Sequence, residues 1–206
     1  MGAHKAEGHP DRVDPLRGLA NLAATGDLRA QRTLLVELGP SLLRTARAIL
    51  GAANSEVEDA LQESMAALVS ALPGFRGECS VRHFASRVTV QTALRVRRRA
   101  RLRARYVGVA VAEELADVAS LELSPAEHSD AARRRAALRE LLLELPEIHS
   151  EVLALHIVLG FTIEETAGTL SVPINTVRSR LRRALASLRQ SVEGDPSALE
   201  VLRAKA

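Results

Sequence analysis

Phe161-Thr162-Ile163-Glu164-Glu165-Thr166-Ala167-Gly168-Thr169-Leu170-Ser171-Val172-Pro173-Ile174-Asn175-Thr176-Val177-Arg178-Ser179-Arg180-Leu181-Arg182-Arg183 decides how this chain is read. The spacing predicts a helix, a tight turn and a second helix. Thr162 and Glu165 stand at capping-box spacing, where hydroxyl and carboxylate each take up a free backbone amide of the first turn. Ile163, Ala167 and Leu170 then share one face. Ser171-Val172-Pro173 interrupts the pattern, and proline opens a helix at little cost because its missing N–H would be unpaired there anyway. Beyond it Val177, Leu181, Ala184, Leu185 and Leu188 recur at helical spacing as an expected buried stripe. Opposite stand Asn175, Thr176, Arg178, Ser179, Arg182 and Arg183. A helix fits the major groove of B-DNA, and the arginine fork matches the guanine edge. Residues 171–190 hold five arginines and no acid, so ion pairs within the helix do not account for them. The segment reads as a DNA-contacting helix-turn-helix.

Outward from it, composition narrows the class. Hydrophobic residues make up 47% of the 206 but aromatics only 2%, so leucine, valine, isoleucine and alanine must build the core. That content implies an all-α fold. Of 28 basic residues only Lys5 and Lys205 are lysine, and the net charge is a modest +3. Cys79 is the lone cysteine, so no internal disulfide forms, and no Cys/His spacing calls for a metal. No catalytic set or Gly-rich phosphate loop appears, so neither an enzyme nor a cofactor is expected. His83, His128, His149 and His156 are scattered, and His156 reads as a boundary residue. The chain opens without an apolar leader and has no membrane-length apolar run, which points to the cytoplasm without membrane insertion.

Five stretches follow. Residues 1–18 read as a mobile arm, in which His4 and His9 are solvated rather than metal-binding. Residues 19–106 read as a helical domain. In it Leu34, Leu35, Leu38, Leu42, Leu43, Ala46 and Leu50 form one apolar series, bent at Gly39-Pro40 and ended by Gly51. Ser55 and Glu58 form an expected second capping box before Val57, Leu61, Met65, Leu68 and Leu72. Pro73-Gly74 closes that helix, and another begins near Ser80. It ends in Arg95, Arg97, Arg98, Arg99, Arg101, Arg103 and Arg105, a run with no acid within it, for which a polyanion is the expected partner. Residues 107–130 reverse the sign with Glu113, Glu114, Asp117, Glu122, Glu127 and Asp130, and read as an acidic linker. Residues 131–192 form the second helical domain, with Leu138, Leu141, Leu142 and Leu145, then a helix from Glu147 to Leu159 ended by Gly160. Residues 193–206 read as a tail.

This order of parts resembles the bacterial RNA polymerase sigma factors of the extracytoplasmic-function (ECF) type, which hold only regions 2 and 4 of the sigma-70 family. The resemblance covers roughly residues 19–192. Glu58-Asp59-Ala60-Leu61-Gln62-Glu63 is similar to the region 2 signature, and Leu72-Pro73-Gly74-Phe75-Arg76-Gly77-Glu78 to the loop after it. Phe84 through Gln91 resembles the segment that melts and reads the −10 element, and Leu145-Pro146-Glu147 through Leu188 resembles region 4.

The resemblance implies that the chain binds core RNA polymerase and promoter DNA, with an anti-sigma factor as a further partner. By it, Asp59, Gln62 and Glu63 dock on the polymerase's largest subunit; on residue chemistry alone they form a solvated polar face. Arg76, Arg82, Phe84, Arg87, Gln91, Arg95 and Arg98 are the implied −10 set, with bases held near loop 75–80 and Gln91. Thr176, Arg178, Ser179, Arg182 and Arg183 are the implied −35 set, Thr176 sitting where a helix N-terminus favours phosphate. The acidic linker either stands in for RNA in the polymerase's exit path or simply keeps the tether soluble. Four departures stand out. Phe84 replaces a usual Trp, Ser86 falls near a second aromatic position, Gln91 replaces Asn, and Val90 replaces a basic residue. They imply weak strand capture or a strict promoter. Two other readings remain open: a one-component helix-turn-helix regulator whose residues 19–106 dimerise or bind an effector, and a sigma-like decoy for an anti-sigma factor. By the resemblance, both nucleic-acid faces are exposed in the free chain, where an inhibitor can close or sandwich the two domains.

Overall fold

The computed structural model describes residues 14–107 and 137–193, and all regular structure among them is helical. The linker over 108–130, the tail beyond 193 and the arm as far as residue 13 lie outside the described residues.

Helices α1 (Arg17–Ala24), α2 (Leu28–Leu50), α3 (Val57–Ala71) and α4 (Val81–Val107) form the first body. Asp27 caps α2, its carboxylate accepting the amides of Arg29 and Ala30 at 2.8 and 2.9 Å. The helix continues through Pro40, whose ring takes the donor from the Val36 carbonyl. Val36 is exposed, so water can satisfy that carbonyl. Gly51 ends the helix at φ 103°, a conformation that favours glycine. The Ser55/Glu58 box does not form. The chain enters α3 through a turn instead, in which the Asn54 side-chain oxygen accepts the Glu56 amide at 2.8 Å.

The arm is shorter than expected, because residues 14–18 belong to the fold. Leu16 is buried, and Asp14 reaches across the chain to accept the Val81 amide at 2.6 Å while also taking the Leu16 amide at 3.0 Å. Ser80 takes another first-turn donor, the His83 amide, at 3.2 Å. Asp14 is therefore a distant N-cap for α4, and its charge suits the positive helix end. Asp14→Ala is expected to lower stability by about 1 kcal/mol, measured by urea unfolding at constant m-value.

The second body holds α5 (residues 137–144), α6 (Glu147–Leu153, continuing as a π-helical turn over Ala154–Val158), α7 (Ile163–Leu170) and α8 (Ile174–Glu193). Gly160 follows at φ 73°. His156 is indeed a boundary residue, with its Nδ1 2.6 Å from the Phe161 carbonyl oxygen across that corner.

Two apolar clusters hold the molecule together. One joins α1, the first half of α2, the end of α3 and the start of α4 through Leu34, Leu38, Leu42, Leu68, Leu72 and Val81. The other crosses the two bodies: Ile49, Leu50, Val90, Ala93 and Val96 share it with Leu142, Val152, Leu153, Leu155 and Val177. α4 is thus a common wall, feeding one face to each cluster. Val90 is fully buried in that shared cluster, so its place in the chain is that of an apolar core residue.

Candidate nucleic-acid interface

The helix-turn-helix forms as the sequence expects. The Thr162 hydroxyl accepts the Glu165 amide at 3.0 Å and the Glu165 carboxylate accepts the Thr162 amide at 2.8 Å. Ser171 then turns the chain at φ 54° in the left-handed region, and α8 starts directly after Pro173. Val177, Leu181 and Ala184 are buried and Leu188 is partly buried. Leu185 is the exception, 42% exposed. At about 100° per residue it lies roughly 80° from Val177 and about 100° from Ala184, past the edge of the buried arc.

The same geometry gathers Asn175, Thr176, Arg178, Ser179, Arg182 and Arg183 within an arc of about 160° on the far side. Arg178, Arg182 and Arg183 are exposed. The Ser179 hydroxyl donates to the Thr176 carbonyl at 2.9 Å, which leaves its oxygen lone pairs as acceptors. Arg180 falls at the arc's margin and is half-buried beside His149. Burial, then the charges of Arg183 and Arg180, hold the His149 imidazole below its ordinary pKa.

The α4 arginines behave differently. They have no acidic neighbour in sequence, but they find carboxylates in space. Arg87 Nε donates to Glu151 Oε1 at 3.0 Å, and Gln91 donates to the same oxygen at 2.8 Å. Arg98 binds Glu147 at 2.9 Å, the Ser150 hydroxyl at 3.1 Å and the Leu145 carbonyl at 3.2 Å. Arg99 holds both oxygens of Glu63, Arg103 pairs with Glu56, and Arg101 lies 3.9 Å from Glu144. Arg97 is only 6% exposed. It donates to the Ile49 and Leu50 carbonyls, closing the C-terminus of α2, and pairs with Glu140. The run has no acid within it, but carboxylates just before and on α3 and on α5 and α6, tens of residues away, reach Arg97, Arg98, Arg99, Arg101 and Arg103.

The implied −10 residues separate into groups. Phe84, Arg87, Gln91, Arg95 and Arg98 share one side of α4, within about 80°. Arg82 lies roughly opposite and is exposed, while Arg76 sits in the preceding loop, 3.9 Å from Glu78. Arg95 is exposed and donates to Thr92 on its own helix. Phe84 packs its ring against Phe75 at 4.8 Å between centroids, partly buried in the first cluster. Arg87 and Arg98 are part-buried against the second body, while Gln91 and Arg95 stay exposed, so this basic side is only partly covered. Of the implied polymerase set, Asp59 and Gln62 are exposed on α3, and Glu63 is exposed but engaged by Arg99.

Sequence reading missed Glu151, Glu147 and Asp14. Glu151 is 12% exposed, an unusual state for a carboxylate without a partner, but its chain neighbours carry no signal of that burial.

Residues 34–103 match the protein family described as Sigma-70 region 2, and residues 135–188 match Sigma-70, region 4. The ECF RNA polymerase sigma factor ShbA of Streptomyces griseus is 31% identical over 89% of this chain and 98% of its own. The chain belongs to the ECF sigma factors. It is a non-enzymatic factor that directs transcription initiation, working with RNA polymerase and promoter DNA as its family does. ECF sigma factor SigD of Mycobacterium tuberculosis is 30% identical over 82% of this sigma factor and 80% of its own length. Among solved structures, CnrH in complex with the cytosolic domain of CnrY matches with 25% identity and a TM-score of 0.49, over 87% of this chain and 97% of that one. The match of residues 34–103 to region 2 sets aside an effector-binding domain there. Among the described residues no helix of this sigma factor is long and apolar enough to cross a membrane, and no cluster of side chains could hold a metal ion.

One consequence concerns acid. His83 on α4 stacks on Phe161 of the second body at 4.2 Å between centroids. Burial lowers its pKa below 6.5, against the opposing pull of Glu165 and Asp14. A histidine with a depressed folded pKa stabilises the fold fully above the unfolded value. That contribution is lost as pH falls from there toward the folded pKa. The melting temperature of this sigma factor is expected to fall between about pH 7.5 and about pH 5.5, with a shallower fall in His83→Gln. Parallel thermal melts of the two proteins check this.

Proposed function

We propose that this sigma factor reads the −35 duplex with α8, holds the opened −10 strand along α4, and docks on core polymerase through α3. The carrying observation is the α8 arc, where Arg178, Arg182 and Arg183 stand exposed opposite the buried Val177, Leu181 and Ala184. Arg178, Arg182 and Arg183 supply forked donors for base edges, with Ser179 as a smaller polar contact. Thr176, in the first turn of α8, meets a backbone phosphate.

On α4, Arg87, Arg95 and Arg98 grip strand phosphates, while Gln91 and Phe84 hold bases by hydrogen bonding and stacking. Arg76 and Arg82 extend the phosphate track beyond that side of the helix. Asp59, Gln62 and Glu63 form the polymerase contact, and Glu63 must exchange Arg99 for its new partner. An anti-sigma factor is a further partner, as the family resemblance implies, and the factor works in the cytoplasm beside its polymerase.

Run-off transcription with purified core enzyme tests the proposal, on genomic fragments that begin with the region upstream of the chain's own gene. Discrete transcripts that require this chain, and that disappear on scrambling a −35 hexamer, are expected. Transcripts indifferent to that scrambling would remove α8 from the reading.

A further inference from the structure

The loop over residues 75–80 borders the proposed −10 side, because Phe75 at its start packs against the Phe84 ring. The chain entering α1 grips both ends of this loop. Leu16 is buried in one cluster with Leu72 and Phe75 at the loop's start and Val81 just after its end. The Asp14 carboxylate accepts the Val81 amide at 2.6 Å, and the Asp14 carbonyl accepts the Arg17 amide at 3.0 Å. The first residue of α1 is thereby fixed beside the loop. Arg17 uses that place. Its guanidinium lies over Gly77, where a Cβ would stand 2.5 Å from Nη2, 2.8 Å from Cζ and 3.3 Å from Nη1. Those three distances fit a point above the guanidinium plane, so the flat face of the group rests on the glycine. A side chain at position 77 would push it aside.

The edge of the group, which carries its N–H donors, is left over. Arg17 is exposed, and its guanidinium makes no hydrogen bond or ion pair among the described residues. The α4 arginines contrast with it, since Arg87, Arg98, Arg99 and Arg103 each hold a carboxylate. Arg17 also lies before residues 34–103, the stretch that matches Sigma-70 region 2, so that match gives it no role.

We propose that Arg17 is a further specificity-determining residue for the −10 strand, presenting its guanidinium edge to a base held against loop 75–80. Arg76, with 82% of its side chain exposed, is free to swing and suits a phosphate, which accepts from many directions. A guanidinium seated on its face suits a base, whose acceptors lie in one plane. Guanine offers two acceptors on one edge and is the best match. This inference rests on the reading of α4 and its preceding loop as the −10 side.

The test uses holoenzyme reconstituted from core RNA polymerase and the full chain. The probe is a fork-junction DNA copied from a promoter that the run-off assay delivers, duplex through the −35 element and single-stranded over −10. Each −10 base is replaced in turn by the other three, and binding is measured with the unaltered chain, Arg17→Ala, Arg17→Lys and Gln91→Ala. Arg17→Ala is expected to lose roughly tenfold of the preference at one position or two adjacent ones, with the other positions discriminated as before. Lysine keeps the charge without the fork and should not restore that preference. A uniform loss of affinity that lysine restores would make Arg17 a phosphate contact and overturn the base reading, as would unchanged preference. Flattening at every position together with a lowered melting temperature would mean that Arg17 only props the loop, which also overturns it. Gln91→Ala separates the two readings. If it flattens a position of its own and Arg17→Ala flattens none, only the Arg17 inference falls. If neither change alters any −10 preference, the reading of α4 falls with it.

Discussion

Replacing Arg182 and Arg183 together by alanine is expected to reduce transcription from the native promoter about a hundredfold. Each forked contact to a guanine edge contributes about 1–3 kcal/mol of discrimination, and roughly 1.4 kcal/mol is a factor of ten. Both side chains are exposed on α8, and neither belongs to the buried stripe formed by Val177, Leu181 and Ala184. The double change should therefore leave the fold within about 0.5 kcal/mol of the parent at each position. Run-off transcription and −35 duplex binding are measured beside a thermal melt. Arg182→Lys with Arg183→Lys separates the contributions further. Lysine keeps the charge that phosphates attract but loses the planar fork, so the lysine pair should retain weak duplex binding and lose sequence preference. Undiminished transcription from the alanine pair would show that the α8 arc does not read the promoter.

Leu153→Ala is expected to cost about 2–5 kcal/mol of folding stability, the range for removing a fully buried leucine. Leu153 lies on α6, yet its cluster includes Ile49, Leu50, Val90 and Ala93 of the first body. The location makes the prediction sharper than a generic core truncation. With one shared core, the first body should lose stability along with the second. Hydrogen exchange monitored on α2 and on α8 checks this: protection should fall on both helices in Leu153→Ala. A loss confined to α5–α8 would mean that the bodies fold independently.

Local chemistry was readable in the sequence wherever the deciding contact was itself local. Thr162 and Glu165 sit within one turn, so the capping box forms as expected. Gly51 and Gly160 end their helices at positive φ for the same reason. Ser55 and Glu58 show the weakness of the same signature. One residue earlier, Asn54 offers a carbonyl oxygen to the Glu56 amide, and that turn pre-empts the serine. Leu185 repeats nearly in step with its stripe, but one residue of drift carries it past the buried edge.

The carboxylates that meet the α4 arginines were not legible because charge balance is a tertiary property. Arg87, Arg97, Arg98 and Arg101 are matched by Glu151, Glu140, Glu147 and Glu144 from the second body. These acids lie within a leucine-rich helical pattern that reads locally as a solvated face. Val90 carried the missing hint. A valine where the resembling family has a basic residue was first a defect in DNA binding; in the fold it is a fully buried member of the cluster the two bodies share. Arg97 likewise changes role, from a phosphate contact to a cap on the carbonyl end of α2.

The separation between spin labels at Val36→Cys on α2 and Ala186→Cys on α8, both exposed positions, tests the shared core of the two bodies most directly. Cys79 is half-buried and its thiol is pushed up to about 11, chiefly by burial, so it stays largely protonated and slow to react near neutral pH. For the free protein at moderate ionic strength the separation should be one short, narrow distribution. A broad distribution would contradict it.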